Sequence, residues 1–256
     1  MTRRVCIIPA RMASSRFPGK PLAPILGLPM ILHIWERCRL ARGFDAVVVA
    51  TCDEEIRAVC AARGAEVVMT ADTHPGAVDR CVEAAAKLRP SLGPDDLVLM
   101  VQGDEVLVTP RMCEDLITAY DRTGGPVVNL ASRIASAAEH DDPNRVKVVT
   151  ALDGRALYMS RSPIPSRVRD PEVPKLLQTG IIGFSHDFLG RFGSLPRTPL
   201  ETAEGIDMLR CLEHGLPVQM VLTERTTFGI DTPSDVPLAE PVLRADPTTA
   251  LYLPRP

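Results

Sequence analysis

The first half of the chain alternates short apolar runs with amphipathic stretches. Runs rich in β-branched residues at 5–9, 46–51, 65–69, 97–102 and 127–131 are apolar at consecutive positions, so both faces of each predicted strand should be covered. Between them, 29–40 carries Met30, Ile31, Ile34 and Trp35 near one face, 53–62 follows a strand, and 78–88 is rich in alanine; all three read as helices. Strand and helix in alternation predict an α/β fold, a mostly parallel twisted sheet with helices on both faces. From Asn144 the pattern changes. Segments 145–150 and 155–160 alternate with period two around Asp153-Gly154, as a hairpin does, and make the sheet mixed. Segment 161–174, rich in Pro and Arg, predicts an irregular arm, so 145–200 reads as a hairpin and arm, usable as a dimer contact or flap, within one domain over 1–256. A helix at 201–214 stopped by Gly215 and a strand at 220–224 follow, and five prolines after Asp235 predict little regular structure in the tail.

Composition narrows the class. With 256 residues, 45% hydrophobic and 24% charged, the chain can bury a full core, which excludes disordered and collagen-like proteins. No apolar run approaches the roughly 20 residues a spanning helix needs, and the N-terminus reads as a strand rather than a secretory signal. A cytoplasmic location is the expectation. The seven cysteines are scattered and lack C-x-x-C spacing, so they read as small buried hydrophobes rather than as zinc ligands or a disulfide framework. A net charge of −3 gives no general attraction to nucleic acid or anionic membrane, so an anionic ligand must be held by a local cluster of Arg and Lys.

Such a cluster follows the first strand. From Ala10 the loop carries Arg11, Ser14, Ser15, Arg16, Gly19 and Lys20, three cations and two hydroxyls at the carboxyl end of a buried strand, where open α/β sheets bind ligands. A polyphosphate suits it. Neither the P-loop pattern nor the dinucleotide glycine pattern is present, so side-chain cations must do the holding. Gln102-Gly103-Asp104-Glu105 ends another strand, and Asp104 there is either a magnesium ligand or part of a solvated turn. Asp231 precedes a helix start at Thr232-Pro233; alone it reads as cap support, and beside Asp104 it would complete a two-carboxylate clamp for magnesium. Lys147, in Asp142-Pro143-Asn144-Arg145-Val146-Lys147, is equally a solvent-facing strand lysine or an active-site cation. The five histidines organise no site, and no Ser-His-Asp set or nucleophile elbow is present.

Four ordered motifs then carry a resemblance over nearly the whole chain: residues 8–11 with 15–22, Val101-Gln102-Gly103-Asp104-Glu105, residues 142–149, and Gly229-Ile230-Asp231-Thr232-Pro233. Together they resemble the 3-deoxy-manno-octulosonate (KDO) cytidylyltransferases. The resemblance implies a nucleotide-diphospho-sugar transferase-like fold, usually a homodimer, that couples CMP from CTP to an acidic sugar with Mg2+ and releases pyrophosphate. It implies that Arg11, Ser15 and Lys20 hold the CTP phosphates, with Ala10, Ser14 and Arg16 beside them. It further implies that Gln102 lies near the base, that Asp104 and Asp231 bind the metal, and that Arg161 and Glu201 lie on the acceptor side. Lys20, Arg11 and Asp104 are the expected catalytic set. Lys147 and Arg80 are further candidate cations for an acidic acceptor, and Arg80 is also a candidate nucleotide contact.

Two stretches depart from the family. Its His-Gln-Ser-Gly-Thr-Glu-Arg is here His74-Pro75-Gly76-Ala77-Val78-Asp79-Arg80, and its His-Leu-Gly-Ile-Tyr-Gly is Gln178-Thr179-Gly180-Ile181-Ile182-Gly183, which puts Gln178 where a sugar-binding His would be. Fewer hydroxyl partners widen the expected acceptor from KDO to a small acid, either a phosphonate such as phosphonoformate or a modified KDO-like 2-keto sugar acid. Two other classes remain open at this level. A nucleotide-sugar glycosyltransferase would release a nucleoside diphosphate, and a non-catalytic nucleotide-binding protein would release nothing.

Overall fold

A computed structural model of the chain describes residues 2–14, 16–170, 172–225, 227 and 229–253. Strand β1 (Arg4–Ala10) is followed by a 3-10 turn (Lys20–Leu22) and a small hairpin, β2 (Pro24–Ile25) and β3 (Leu28–Pro29). Then come α1 (Met30–Arg39), β4 (Ala46–Thr51), α2 (Glu54–Ala62), β5 (Glu66–Met69), α3 (Ala77–Lys87), β6 (Leu97–Val101), α4 (Pro110–Thr123), β7 (Val127–Arg133) and α5 (Ala137–Asp141). The second half adds β8 (Lys147–Thr150), β9 (Ala156–Ser160), β10 (Leu176–Ser185), α6 (His186–Ser194), α7 (Pro199–Glu204), α8 (Met208–Glu213), β11 (Gln219–Thr223) and α9 (Val236–Ala245).

The main sheet runs β11-β7-β10-β6-β1-β4-β5. β1 pairs in parallel with both β4 and β6, and the mixed character comes from β10, which is antiparallel to β6, β7 and β8. The period-two arrangement of side chains on β1 explains why its run is continuously apolar. Cys6, Ile8 and Ala10 face a core closed by α1, α2, α4 and α9, while Val5 and Ile7 face a second core closed by α3, α6 and α8. Each fully buried Ile contributes about 2–3 kcal/mol, so neither face of this central strand tolerates a polar residue. All seven cysteines are free, and six are buried, as expected of small apolar side chains. Among the described residues no helix is long and apolar enough to cross a membrane.

The sequence-based picture needs four corrections. β5 is an edge strand with Glu66 and Met69 exposed, not one covered on both faces. The helix expected over 201–214 is two short helices, α7 and α8, broken at Gly205, which takes φ 64°. The tail contains α9, because Pro237 lies in the first turn where a missing N–H breaks no bond; only Pro241 is interior. The sequence pattern predicts no strand over Leu176–Ser185, where the long central β10 runs.

Candidate active site

A cleft of about 460 Å³ opens where the carboxyl ends of β1 and β6 meet β10, the start of α3 and the α7–α8 corner. The opening loop contributes Arg11, Ser14, Arg16 and Lys20 to its wall. Ser15 lies outside the described residues. Gly19 takes φ 72° ahead of the 3-10 turn, and Lys20, the first residue of that turn, sends Nζ to Asp104 Oδ2 and to the carbonyl of Ile230, both at 2.8 Å. Arg16 Nη2 donates to Asp231 Oδ1 at 2.7 Å. Arg11 Nη1 donates to the His74 carbonyl at 3.3 Å, on the far wall.

Asp104 stands on the turn after β6. That turn requires glycine at 103, because a Cβ there would lie 2.6 Å from the Pro9 carbonyl. The backbone of Asp104 accepts from the Ile230 N–H at 3.0 Å, which docks the 229–231 segment beside it although the two are remote in sequence. Burial, and then the Asp104 charge, raise the Asp231 carboxyl above its ordinary value, against the opposing pull of Arg16, Lys20 and Arg145. Glu105, 5% exposed, accepts from the Gly180 N–H at 2.6 Å and from Thr227 Oγ1 at 3.1 Å; burial and Asp104 push it up to about 7. Gln102 lines the cleft with its side chain laid over Gly180, where a Cβ would come within 2.8 Å of it.

On the other side, Arg161 and Gln178 line the cleft as expected. Arg161 is oriented by Nε to the Glu204 carbonyl at 2.6 Å and Nη1 to the Pro143 carbonyl at 2.9 Å. Gln178 Nε2 is held by Asn129 Oδ1 and the Thr179 carbonyl, both at 2.9 Å. Two expected acceptor contacts do other work. Lys147 is fully buried and spends its ammonium on the carbonyls of Asp142, Arg145 and Arg161, bracing the loop and arm that border the cleft. Glu201, 1% exposed, caps Thr198 and forms a buried ion pair with Arg210. Arg80 lies outside the lining of the main cleft; it borders an adjoining side pocket of about 150 Å³ with Arg11 and His74, bonded to Thr70 Oγ1 and the Ala71 carbonyl. Missed by sequence reasoning were Arg145, whose Nη1 donates to the Gly229 carbonyl at 3.2 Å, and Asp207, which enters the cleft beside Gly76. Arg145 had a signal, being one of three charged residues in 142–147.

Two carboxylates converging at one corner fit a magnesium ion, which takes one or two protein carboxylates and fills its shell with phosphate oxygens and water. Among the described residues no group of three or more His, Cys, Asp or Glu side chains could hold a metal, so phosphate and water would have to supply the rest. Asp104 and Asp231 would hold it, opposite the cations of the opening loop.

A mostly parallel open sheet with this cleft at its strand ends defines a nucleotidyltransferase enzyme, an α/β protein of the nucleotide-diphospho-sugar transferase type. The chain belongs to the cytidylyltransferase family, whose model matches residues 5–223. It is 43% identical over 248 residues to a 3-deoxy-manno-octulosonate cytidylyltransferase of Nitratidesulfovibrio vulgaris, covering 94% of this chain and 97% of that one. It is 40% identical over 242 residues to an 8-amino-3,8-dideoxy-manno-octulosonate cytidylyltransferase of Shewanella woodyi, covering 94% and 98%. A solved structure of a CMP:2-keto-3-deoxy-manno-octonic acid synthetase complexed with CTP superposes with a TM-score of 0.86 at 35% identity, covering 95% of this chain and 99% of the other.

Proposed function

We propose that the protein transfers CMP from CTP to a KDO-like 2-keto sugar acid and releases pyrophosphate, with Mg2+ as cofactor. The observation that carries this reading is the convergence of Lys20 and Arg16 with Asp104 and Asp231, which puts phosphate-binding cations against metal-binding carboxylates in one cleft. The printed names of the relatives support CTP and an octulosonate-type acid; they lend nothing to phosphonoformate, which we set aside.

An acceptor hydroxyl oxygen attacks the α-phosphorus, the bond from that phosphorus to its β-bridging oxygen breaks, and pyrophosphate leaves as the hydroxyl proton passes to solvent. Such a transfer is mostly positioning and charge stabilisation. Arg11, Arg16 and Lys20 steady the departing pyrophosphate, while Arg161 binds the acceptor carboxylate and Gln178 a polar group beyond it. Magnesium, when bound, would neutralise phosphate charge and lower the pKa of the attacking oxygen. A homodimer is part of the proposal, with the exposed Leu152, Leu157 and Val168 of the hairpin and arm as its contact.

The test is pyrophosphate release from CTP and Mg2+ with KDO, its 8-amino analogue and phosphonoformate in turn. KDO-type acids should be consumed, and Asp104→Asn should lower kcat/KM by about 10³-fold, the scale of losing a metal clamp. No pyrophosphate from CTP with any of the three acids would refute transfer and leave a nucleotide-binding protein. A nucleoside diphosphate released from a sugar donor would make it a glycosyltransferase.

A further inference from the structure

We infer that Lys20 and Arg16 are resident counter-ions of the two metal-binding aspartates, and that a polyphosphate must draw them away before a divalent cation can settle there. The inference rests on the proposed reading in one respect, that a nucleoside triphosphate enters this cleft. Its basis is the pairing itself: the Lys20 ammonium is shared between Asp104 Oδ2 and the Ile230 carbonyl, and the Arg16 guanidinium occupies Asp231 Oδ1. Two cations therefore sit on the two carboxylates that a metal would need. The Lys20–Asp104 pair is sheltered, with side chains 13% and 23% exposed, so solvent screens it little. Arg16 is 48% exposed and Asp231 18%; the arginine also donates through Nη1 to Asn144 Oδ1, and both of its bonds must yield before it turns outward.

The charge arithmetic decides the order of events. While both pairs persist, the corner is close to neutral, and an incoming divalent ion meets the repulsion of two positive groups within a few ångströms. A triphosphate offers those groups denser negative charge and better hydrogen-bond acceptors than a single carboxylate. Both side chains are long and line the cleft, so rotamer changes suffice to turn them from carboxylate to phosphate. Their departure strips both aspartates of their ion-pair partners, leaving on Asp231 the weaker pull of Arg145, and presents the two carboxylates to the phosphates as a site for a divalent ion. Nucleotide and metal then favour each other's binding by the same factor, as linkage requires. The lysine and arginine thus have two duties: they block the metal position when no polyphosphate is present and hold the phosphates when one is.

The test measures Mn2+ binding to the full chain without nucleotide, by the electron paramagnetic resonance signal of free Mn2+. Lys20→Met and Arg16→Gln should each bind Mn2+ about tenfold more tightly than the parent, since each removes one repelling charge. Lys20→Arg keeps the charge and should stay within about threefold of the parent. Asp104→Asn should weaken binding in every background. Lys20→Met binding Mn2+ no better than the parent, or Lys20→Arg binding as tightly as Lys20→Met, would overturn the inference. Should Lys20→Met not fold, Arg16→Gln, at an exposed side chain, decides the matter in the same way. The measurement needs no acceptor and no turnover. Unchanged Mn2+ affinities in a protein that consumes CTP would sink the counter-ion exchange alone, whereas the tenfold gains in a protein that releases no pyrophosphate would sink the proposed reaction alone.

Discussion

Replacing Arg210 by methionine should destabilise the fold strongly, because two carboxylates and an aromatic ring depend on one buried cation. Arg210 is 2% exposed; its Nε and Nη2 donate to Glu201 at 2.9 and 2.5 Å, its Nη1 donates to Asp79 Oδ1 at 3.1 Å, and its guanidinium lies 4.2 Å from the Phe192 ring centre. Glu201 is 1% exposed and cannot recover its hydration when the arginine goes. Removing one partner of such a buried pair costs about 3–5 kcal/mol, mostly as an uncompensated charge left in the interior. At about 2–4 °C per kcal/mol for a chain of this size, Tm should fall by roughly 10 °C. Glu201→Gln on top of Arg210→Met removes the stranded charge and should restore part of the loss, so the double variant should melt above the single one. Urea and thermal unfolding of the parent, both single variants and the double variant check this. Arg210→Met within about 1 kcal/mol of the parent would refute the reasoning. Glu201→Gln also separates a strut from a substrate contact: it should lower Tm and leave the acceptor KM within a few-fold. A KM raised tenfold at unchanged Tm would return Glu201 to the acceptor.

Two further outcomes follow from single residues. The Lys87 ammonium and His74, with the Ala71 N–H and against partial burial, hold the Glu83 carboxyl down at about 2. A depressed carboxylate stabilises the fold above its ordinary 4.5 and loses that contribution as pH falls through about 2. Glu83→Gln should therefore cost about 1 kcal/mol at pH 7, after allowance for its partial exposure, and distinctly less at pH 3; an equal or larger loss at pH 3 in urea titrations would contradict this. Gly103→Ala places a methyl 2.6 Å from the Pro9 carbonyl and must shift the turn that bears Asp104. Such a displacement of about 1 Å should lower kcat/KM about 10²-fold with the chain still folded by circular dichroism, and parental activity would disprove the close approach.

Elements with a simple burial pattern were legible in the sequence. β1, β4 and β6 are continuously apolar because helices cover both their faces, and their carboxyl ends then located the opening loop and Asp104. β10 was hidden because it carries Gln178, Thr179, Gly180 and Gly183, residues that break an apolar run. Each is explained only by a neighbour remote in sequence. Gly183 must be small against Val128, Gly180 against Gln102, and Thr179 Oγ1 donates to the Leu130 carbonyl at 2.9 Å. Period and propensity describe a strand's own residues, whereas these positions answer to β6 and β7.

The same distinction governs the site. Arg16, Lys20, Asp104 and Asp231 stand at loop positions where no periodicity assigns them an inward or outward face; strand ends point to the first three, and Asp231 joins them in the sequence only through the resemblance of the ordered motifs. In the structure each is fixed by a contact across more than 80 residues of chain. Lys147 and Glu201 show the limit of that inference. Charge and position made Lys147 a binding candidate and the family resemblance made Glu201 one, yet a charged side chain can equally be enclosed by the structure it organises: three carbonyls take up the Lys147 ammonium, and Arg210 takes up the Glu201 carboxylate. What separates a ligand-binding charge from a structural one is whether its partners can be exchanged. The Lys20 ammonium lies at the cleft wall, where a phosphate can replace Asp104 as its partner; the Lys147 ammonium is sealed beneath the loop, and nothing that enters the cleft can reach it.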